Sequence, residues 1–443
     1  MTTTLVFPAP MQAELRAGLL SRRDVETVAT VFARTSGDDE GRIRLLAAEV
    51  VWAEDDDYQK RSQIAATLKP VALARIAARA RKSGMSLVLC HSHPFDEDVP
   101  TFSPTDDNGE REVASFLGAR IPSALHAAVV VGSASLTARI LGRAEPIRVA
   151  EIGLDLVFAS LPGETALDEI HNRQILAFGE AGQRVIGSLR VGVVGAGGTG
   201  SVVIPQLAHA GVRDFVVVDP DVVERTNLNR LLNCGPADIG RPKVEVAERT
   251  IRLIAPDAEV LAMRGDVLDL KTSRVLTSCD LVFCCTDTPG SRLVLNRLAY
   301  QYFVPVIDMG SEIICDTGNV ARIAGRVRLL SPGMGCLVCS NALDWLAVNR
   351  DLCGEAHRAA AVYGADKSVP QPAVVSLNSV SASLAVGMFL GIVTGLPMRA
   401  RYQLYDAVRG IVRDAIPARE EKCVCCQSHF GMGDSVPLPS RLP

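Results

Sequence analysis

A glycine-rich turn between two apolar strands constrains the fold of this chain more than any other feature of its sequence. The apolar residues 191–194 lead into the loop Gly-Ala-Gly-Gly-Thr-Gly-Ser, and a second apolar run, 215–218, ends in Asp219. This is the order of a dinucleotide-binding βαβ unit, in which the glycines let the backbone approach the phosphates and the carboxylate binds the ribose. We therefore predict a nucleotide site formed by Gly195, Gly197, Gly198, Gly200 and Asp219.

The surrounding sequence indicates the fold class of this region. Between residues 185 and 310, apolar strands alternate with helical stretches such as 201–210 and 244–253. That alternation predicts an α/β domain with a mostly parallel, doubly wound sheet. Residues 380–396 are also strongly apolar, but this run of 17 residues contains serines and glycines and is short for a membrane span, so we expect a buried helix.

Four polar residues distinguish this site from an ordinary NAD or FAD site, which the glycine turn alone would equally allow. Asn227, Arg230 and Lys243 follow Asp219 in the sequence, and Asp287 ends a third apolar strand. Hydride transfer does not require an arginine, a lysine and an aspartate at the phosphate end of the cofactor. Cleavage of ATP between its α- and β-phosphates requires cations that neutralise phosphate charge and a carboxylate that holds Mg²⁺. The pattern therefore favours ATP chemistry.

Together with the upstream Arg173 and Gly179, these residues resemble the adenylating enzymes of the ubiquitin-activating (E1), molybdopterin-synthase adenylyltransferase and ThiF superfamily. The resemblance covers about residues 170–430. It implies that Gly197 and Gly200 permit close approach of the backbone to the nucleotide. In dimers of that family the arginine matching Arg173 reaches into the neighbouring subunit's ATP site, so a homodimer is also implied. The remaining implied roles are ribose binding by Asp219, phosphate contacts by Asn227, Arg230 and Lys243, and magnesium binding by Asp287.

Charge and cysteine content narrow the function classes further. The net charge of −4 and the pI near 6.0 argue against binding to nucleic acid or to an anionic membrane. The first residues lack a basic stretch followed by an apolar one, so we expect a cytoplasmic protein without a secretory signal. In a cytoplasmic chain, twelve cysteines indicate metal binding or catalysis before disulfides.

Two Cys-x-x-Cys pairs predict a zinc site. Cys336 and Cys339 form the first pair, and Cys423 and Cys426 form the second. Thiolates at this spacing bind a tetrahedral Zn²⁺ from two loops and leave no open position for a substrate. Cys425 is an alternative to Cys426 in the second pair. In the resembling family the matching zinc holds the C-terminal segment on the domain, so we expect a structural Zn²⁺ here.

A cysteine between these pairs raises the question of whether activation ends at an acyl-adenylate or continues to a thioester. Cys353 is the single cysteine between Cys339 and Cys423. The nearby cationic residues His357, Arg358 and Lys367 would favour its thiolate. The alternative is a buried structural cysteine in a connecting helix.

A second constellation lies in the N-terminal part of the chain. Residues 87–90 have the pattern of a buried strand, which leads into His91 and His93. Histidines at i and i+2 on an extended segment point to the same side, as chelation of one metal requires. Asp106 supplies a third ligand and leaves the fourth position of a hydrolytic zinc to water. Ser103 would hydrogen-bond the oxyanion that forms when this water attacks a carbonyl.

The sequence HxHP followed by SxxD resembles the JAB/MPN metalloprotease motif, whose members cut isopeptide bonds next to ubiquitin-like proteins. The resemblance covers about residues 10–140 and implies an α+β layered domain similar to cytidine deaminase. The family also uses an upstream glutamate as general base. We assign this role to Glu26, with Glu40, Glu49 and Glu54 as alternatives. The spacing from histidine to serine is two residues longer than in the family, and a degenerate domain kept for docking is the alternative reading.

The predicted organisation is a JAB/MPN-like domain at 1–145, a linker at 146–168 and an adenylation domain at 169–435. Both domains would recognise the C-terminus of one β-grasp, ubiquitin-like protein. Such fusions resemble bacterial ubiquitin-like conjugation systems, which implies an E2-like partner and a role in antiphage defence. A sulfur-carrier adenylyltransferase for molybdopterin, thiamine or cysteine synthesis is the second enzyme hypothesis.

Overall fold

The computed structural model describes residues 2–95, 99–160, 167–316, 319–353 and 372–441. The chain divides into two compact units, of which unit 1 comprises Met1–Gly163 and Phe430–Val436, and unit 2 comprises Glu164–His429 and Pro437–Pro443. Each unit contains one eight-stranded sheet among the described residues.

Unit 1 is a mixed sheet with helices on both faces. The strands follow the spatial order β10-β9-β1-β3-β2-β6-β7-β8, in which β2 is antiparallel to β3 and β6, and β6 is parallel to β7. Its elements are β1 (Thr3–Pro8), α1 (Ala9–Leu19), β2 (Val28–Gly37), β3 (Ile43–Trp52), β4 (Tyr58–Arg61), β5 (Ala66–Leu68), α2 (Pro70–Ser83), β6 (Ser86–Ser92), α3 (Pro104–Arg120), β7 (Ala127–Val131), β8 (Leu136–Ile140), β9 (Arg148–Ile152) and β10 (Leu156–Ser160).

Alternation along the strands of unit 1 explains its two apolar cores. Leu15 and Leu19 of α1 pack in one core with Val88 of β6. Ile76 of α2 and Leu117 of α3 pack in the other core, with residues that include the neighbouring Leu87. Because successive strand residues point to opposite faces, one strand contributes to both cores.

The unit boundaries differ from the sequence expectation. The segment 146–168, expected as a linker, contains β9 and β10, and β9 pairs in parallel with β1. Residues 430–436, expected in the adenylation domain, belong to unit 1, where the Asp434 carboxylate accepts a hydrogen bond from the Gly37 N–H at 3.3 Å. Composition reveals neither difference, because the first depends on strand pairing and the second on a contact between segments far apart in the sequence.

Unit 2 has the predicted doubly wound sheet, with the order β13-β12-β11-β14-β15-β16-β17-β18. The first five strands are parallel, and the last three are antiparallel additions. Its elements are α4 (Asn172–Ser188), β11 (Arg190–Val194), α5 (Gly200–Ala210), β12 (Asp214–Val218), α6 (Lys243–Ile254), β13 (Glu259–Met263), α7 (Leu270–Arg274), β14 (Leu281–Cys284), α8 (Pro289–Gln301), β15 (Val306–Asp316), β16 (Asn319–Leu330), α9 (Trp345–Leu352), α10 (Val375–Thr394), β17 (Tyr402–Asp406) and β18 (Ile411–Asp414).

Helix α10 is the apolar segment noted in the sequence. By length and composition it could cross a membrane, and 56% of its most apolar window is buried inside the protein. It packs against α5 and β15 of the same unit. The expected buried helix is present, and it begins at Val375.

Candidate functional site

The glycine turn of unit 2 lies at the carboxyl ends of the parallel strands, where doubly wound sheets bind their ligands. Gly195 has φ +96°, and a Cβ there would lie 2.6 Å from the Cys285 carbonyl oxygen. A Cβ on Gly200 would collide with the Gly195 carbonyl oxygen, whereas a Cβ on Gly197 would meet no atom within 4 Å. The backbone of the turn therefore leaves no room for a side chain at Gly195 or Gly200. Gly197, in contrast, faces open space that a nucleotide can occupy.

Asp219, the predicted ribose ligand, is 4% exposed and lies against this turn. One carboxylate oxygen accepts a hydrogen bond from the Ala196 N–H at 2.7 Å, and the other accepts from the Asp221 N–H at 2.9 Å. Burial raises the pKa of Asp219, and the nearby Lys243 partly offsets this. Each carboxylate oxygen keeps further acceptor capacity, which ribose hydroxyls can use.

Two predicted phosphate-binding cations lie near the same edge. Lys243 begins α6, and its Nζ donates to the Asp221 carboxylate at 2.7 Å. Arg230 donates to the Thr226 carbonyl oxygen at 2.7 Å, and its Cδ lies 3.6 Å from where a Cβ on Gly198 would be. Both cations are therefore held by local contacts beside the turn.

Asn227 has a local role that the sequence did not predict. Its side chain is 7% exposed, and its Oδ1 accepts a hydrogen bond from the Glu224 N–H at 3.1 Å. This bond closes the short 3₁₀ turn Arg225–Asn227. The amide therefore shapes the loop that carries Arg230, and its NH₂ group is the part suited to contact a phosphate.

Asp287, the predicted magnesium ligand, is exposed directly after β14. The sequence did not predict three further charged residues of this region, of which Arg292 interacts electrostatically with Asp287. Asp308 is 1% exposed in its side chain and lies 3.5 Å from both Arg292 and Arg326. Because Asp308 pairs in parallel register with Cys284, it lies at the same sheet edge. The signal was available, since an aspartate also ends the apolar part of the strand after β14.

Arg173 lies in the first turn of α4, ahead of a break in this helix. Arg173 is exposed near the start of α4. Gly179 has φ +74°, which interrupts this helix and separates its first turns from the remainder. A left-handed residue at this point is readily adopted only by glycine.

The four predicted zinc ligands converge in unit 2. The sulfur atoms of Cys336, Cys339, Cys423 and Cys426 lie within 4.8 Å of one another, and all four residues are buried. Cys425 is not in this group, and its sulfur accepts a hydrogen bond from Asn296 Nδ2 at 3.0 Å. The structure therefore selects Cys426 over Cys425.

The donor chemistry of this cluster fits a structural zinc ion. Four thiolates would place strong negative charge in a buried site unless a cation neutralised it. Backbone N–H groups of Cys339, Glu420 and Cys425 point at the sulfur atoms of the cluster, each at 3.4 Å. Hydrogen bonds of this kind orient thiolate ligands and stabilise their charge.

Cys353 lies at the C-terminal end of α9 and is partly exposed. Two residues earlier, the Asp351 carboxylate accepts a hydrogen bond from the Gly290 N–H at 2.9 Å. Gly290 lies in the first turn of α8, shortly after Asp287. The contact brings the end of α9 toward the nucleotide edge of the sheet. The predicted neighbours His357, Arg358 and Lys367 lie outside the described residues.

The predicted histidine cluster forms in unit 1. His91 Nε2 lies 3.2 Å from His93 Nε2 and 3.2 Å from a carboxylate oxygen of Asp106, and the second oxygen lies 3.6 Å from His93. The three residues form a group whose ligand atoms are all within 4.8 Å. Ser92, between the histidines, points to the other side and accepts a hydrogen bond from the Thr27 N–H. Two nitrogens and one carboxylate are a donor set that suits a catalytic zinc ion.

Glu26 lies beside this cluster. Its Oε1 is 3.7 Å from His93 Nε2, and the residue is 4% exposed. Antiparallel pairing of Val28 with His91 brings the start of β2 alongside the histidines. Burial raises the pKa of Glu26, while His91 and His93 partly offset this effect. A buried carboxylate with a raised pKa is a suitable proton carrier.

The three alternative glutamates are engaged elsewhere in unit 1. Glu40 pairs with Arg42, Glu49 pairs with Arg79 at 2.5 Å, and Glu54 caps the 3₁₀ turn Asp55–Asp57.

Ser103 caps helix α3 in a reciprocal arrangement with Asp106. The Ser103 hydroxyl accepts from the Asp106 N–H at 3.2 Å, and the Ser103 N–H donates to an Asp106 carboxylate oxygen at 2.7 Å. This capping box orients the carboxylate toward the histidines. The hydroxyl proton of Ser103 is not used in the box, so it can donate to an oxyanion.

With both sites described, comparison with known proteins assigns unit 2. Residues 171–426, more than half of the chain, match the ThiF family. The chain belongs to the ThiF family. The matched region contains the glycine turn, the candidate phosphate and magnesium ligands and all four clustered cysteines. The histidine cluster and Glu26 lie before the matched region.

Several known proteins are similar to this ThiF-family chain. A molybdopterin-synthase adenylyltransferase of Escherichia coli K12 is 28% identical over 260 residues, which cover 58% of this chain and 95% of that protein. A SAMP-activating enzyme E1 of Haloferax volcanii is 34% identical over 177 residues, which cover 40% of this chain and 62% of that protein. A crystal structure of E. coli MccB with MccA-N7isoASN is 20% identical with a TM-score of 0.47, and the match covers 59% of this chain and 75% of that one.

The ThiF-family fold and the site geometry agree on what unit 2 can do. It is an E1-like adenylyltransferase domain, and its glycine turn lies at the carboxyl edge of its sheet. Asp219, Arg230 and Lys243 lie at or beside this turn, and Asp287 follows the adjacent strand β14.

Proposed function

We propose that this chain adenylates the C-terminal glycine of a ubiquitin-like protein, and that unit 1 is a zinc metallopeptidase that acts on the same protein. The observation that carries the second part is the convergence of His91, His93 and Asp106 with Glu26, whose Oε1 lies 3.7 Å from His93 Nε2. Similarity to a SAMP-activating enzyme E1 supports the first part.

In the adenylation reaction, the terminal carboxylate of the partner attacks the α-phosphate of ATP, and pyrophosphate leaves. Arg230 and Lys243 would stabilise the charge that develops on the phosphates, and Asp219 would hold the ribose so that the reacting atoms align. Asp287 would hold Mg²⁺, which neutralises phosphate charge when bound. Arg173 of a second copy would complete the site in a homodimer.

In the peptidase reaction, His91, His93 and Asp106 would hold a zinc ion. When bound, Zn²⁺ acts as a Lewis acid and makes water nucleophilic at neutral pH. Glu26 would accept a proton from the attacking water and return it to the leaving amine. Ser103 would donate its hydroxyl hydrogen bond to the oxyanion.

We further propose that the acyl group passes from the adenylate to Cys353. The thiolate would attack the acyl carbon, AMP would leave, and a thioester would form for transfer to an E2-like protein. The hydrogen bond between Asp351 and Gly290 supports this assignment, because it brings the end of α9 near Asp287. The biological setting of such a pathway, cytoplasmic antiphage defence, is part of the same proposal.

A sulfur-carrier adenylyltransferase is the second candidate function. Similarity to a molybdopterin-synthase adenylyltransferase over 95% of its length favours it. In that case the adenylate would be handed to a sulfur donor, and unit 1 would trim the carrier's C-terminus.

One experiment separates these functions. The purified chain is incubated with ATP and a purified β-grasp protein, once with a free C-terminal glycine and once with a C-terminal extension. Pyrophosphate exchange with the first form and removal of the extension from the second are expected. A thiol-sensitive adduct on this chain favours conjugation, and exchange without such an adduct favours sulfur-carrier chemistry. Exchange without cleavage of the extended form would reject the peptidase.

A further inference from the structure

A buried arginine joins helix α3 to the sheet of unit 1 beside the histidine cluster. Arg139, on β8, is 6% exposed. Its guanidinium contacts both carboxylate oxygens of Glu110, each at 3.0 Å, and the Asp107 carboxylate at 2.7 Å. The Nε–H of Arg139 donates a hydrogen bond to one Glu110 oxygen, and the guanidinium lies within ion-pair distance of the other. One side chain therefore holds the first turns of α3 against the sheet.

The same guanidinium also contacts the residue before the helix. Arg139 stacks over the Phe102 ring at 3.8 Å from its centroid. The Phe102 ring in turn lies edge-on to the His91 ring, with 6.2 Å between centroids. Phe102 directly precedes Ser103, and Asp107 directly follows Asp106. Arg139 therefore contacts the chain on both sides of the capping box formed by Ser103 and Asp106.

This placement matters because Asp106 has little freedom of its own. One of its oxygens is tied to the Ser103 N–H, and the other lies 3.2 Å from His91 Nε2. The carboxylate can therefore adjust to a metal mainly by movement of the whole N-terminal end of α3. The histidines lie on and just after β6, which is joined to β8 through β7. Arg139 thus connects the element that carries the acidic ligand with the sheet that carries the two histidines.

We propose that Arg139 is a positioning residue of the metal cluster, which sets the place of Asp106 relative to His91 and His93. The inference rests on the proposed metallopeptidase function. It predicts that loss of Arg139 lowers the zinc affinity of this cluster even in a variant that keeps the wild-type fold. Groups that orient metal ligands typically contribute about 10–100-fold to affinity.

The test uses the full chain and measures zinc affinity by competition with a chromophoric chelator. Wild type is compared with His91→Ala, so that the histidine site is separated from the cysteine cluster. Arg139→Met is expected to lower the zinc affinity of the histidine site by about 10–100-fold. Arg139→Lys should lower it by less, because lysine keeps the positive charge but lacks the planar guanidinium. The cysteine cluster should keep its affinity in every variant.

Arg120→Met is the matched control. Arg120 stacks over Phe116 at 3.7 Å near the other end of α3, so its loss removes a comparable contact away from the ligands. Circular dichroism and thermal unfolding report whether each variant folds. If Arg139→Met does not fold, Asp107→Asn decides the question, because it removes the charge of one partner of Arg139 and leaves the contacts with Glu110 in place. A several-fold loss of zinc affinity is expected for Asp107→Asn.

The outcomes are distinguishable. If Arg139→Met folds and binds zinc with wild-type affinity, the positioning role is overturned and the peptidase proposal stands. If Arg139→Met does not fold, wild-type zinc affinity in folded Asp107→Asn has the same meaning. Equal losses in Arg120→Met and Arg139→Met also overturn it, since the effect would then be a general one of α3. If His91→Ala binds as much zinc as the wild type, the histidine cluster is not a zinc site. Both the positioning role and the peptidase proposal are then rejected.

Discussion

The Glu26 carboxylate lies 3.7 Å from the Nε2 atom of His93, although the two residues are far apart in the sequence. The contact exists because β2 pairs with β6 in antiparallel register, Val28 opposite His91. It distinguishes Glu26 from the three other glutamates that the sequence allowed as the base.

Replacement of Glu26 by glutamine should abolish cleavage while the metal stays bound. Glutamine cannot accept and return a proton, so cleavage of a C-terminally extended ubiquitin-like protein should fall by at least about 10²-fold. Zinc content measured on the same sample should be unchanged. Glu49→Gln is the control, because Glu49 pairs with Arg79 on the surface and should not affect the rate. Normal cleavage by Glu26→Gln would show that another group is the base.

Removal of the phosphate-binding cations should disable adenylation. Lys243→Ala and Arg230→Ala should each lower ATP–pyrophosphate exchange by about 10²–10³-fold, because one lost transition-state contact is worth about 3–4 kcal/mol. Arg241→Ala serves as the control, since this neighbouring arginine is 59% exposed in its side chain and forms a long ion pair with Asp238. Full exchange in both single mutants would contradict the assigned ATP site.

The cysteine cluster should contribute to folding rather than to chemistry. Cys336→Ser or Cys339→Ser should remove one zinc per chain and lower the thermal midpoint of unit 2, since metal binding supplies folding free energy. Cys425→Ser should keep that zinc, because Cys425 accepts from Asn296 instead. Elemental analysis and thermal unfolding measure both effects. A chain that retains its full zinc content after Cys336→Ser would reject the site.

Cys353→Ser should separate adenylate formation from thioester formation. Pyrophosphate exchange should survive, while the thiol-sensitive adduct with the ubiquitin-like partner should be lost or replaced by a stable oxyester. Gel analysis with and without reductant detects the difference. Cys234→Ser, at another partly exposed cysteine, should leave the adduct intact. If the thiol-sensitive adduct persists in Cys353→Ser, another cysteine is the nucleophile.

Site residues that lie within a few positions of one another could be predicted from the sequence. His91 and His93 alternate along one strand, so a shared side follows from strand geometry alone. The Cys-x-x-Cys pairs and the glycine turn are likewise defined within a few residues, and the structure brings each set together. Asp219 could be predicted because a carboxylate that ends the second strand of a βαβ unit always lies near the glycine turn.

Choices between similar residues needed the fold. Cys425 and Cys426 are adjacent, and only the packing of Asn296 against Cys425 leaves Cys426 for the cluster. Asp308 also ends an apolar run in the sequence, but its place beside the nucleotide edge follows from its register with Cys284.

The sequence by itself therefore determined which residues make up each candidate site of this protein, because nucleotide turns and metal-ligand pairs depend on side chains close together along the chain. The tertiary structure alone decided which carboxylate lies beside the histidine cluster and which arginine contacts the helix that carries Asp106. Glu26 and Arg139 reach that cluster through strand pairing and ion pairs between distant segments. Such contacts depend on the register and packing of the whole sheet, which local sequence does not encode.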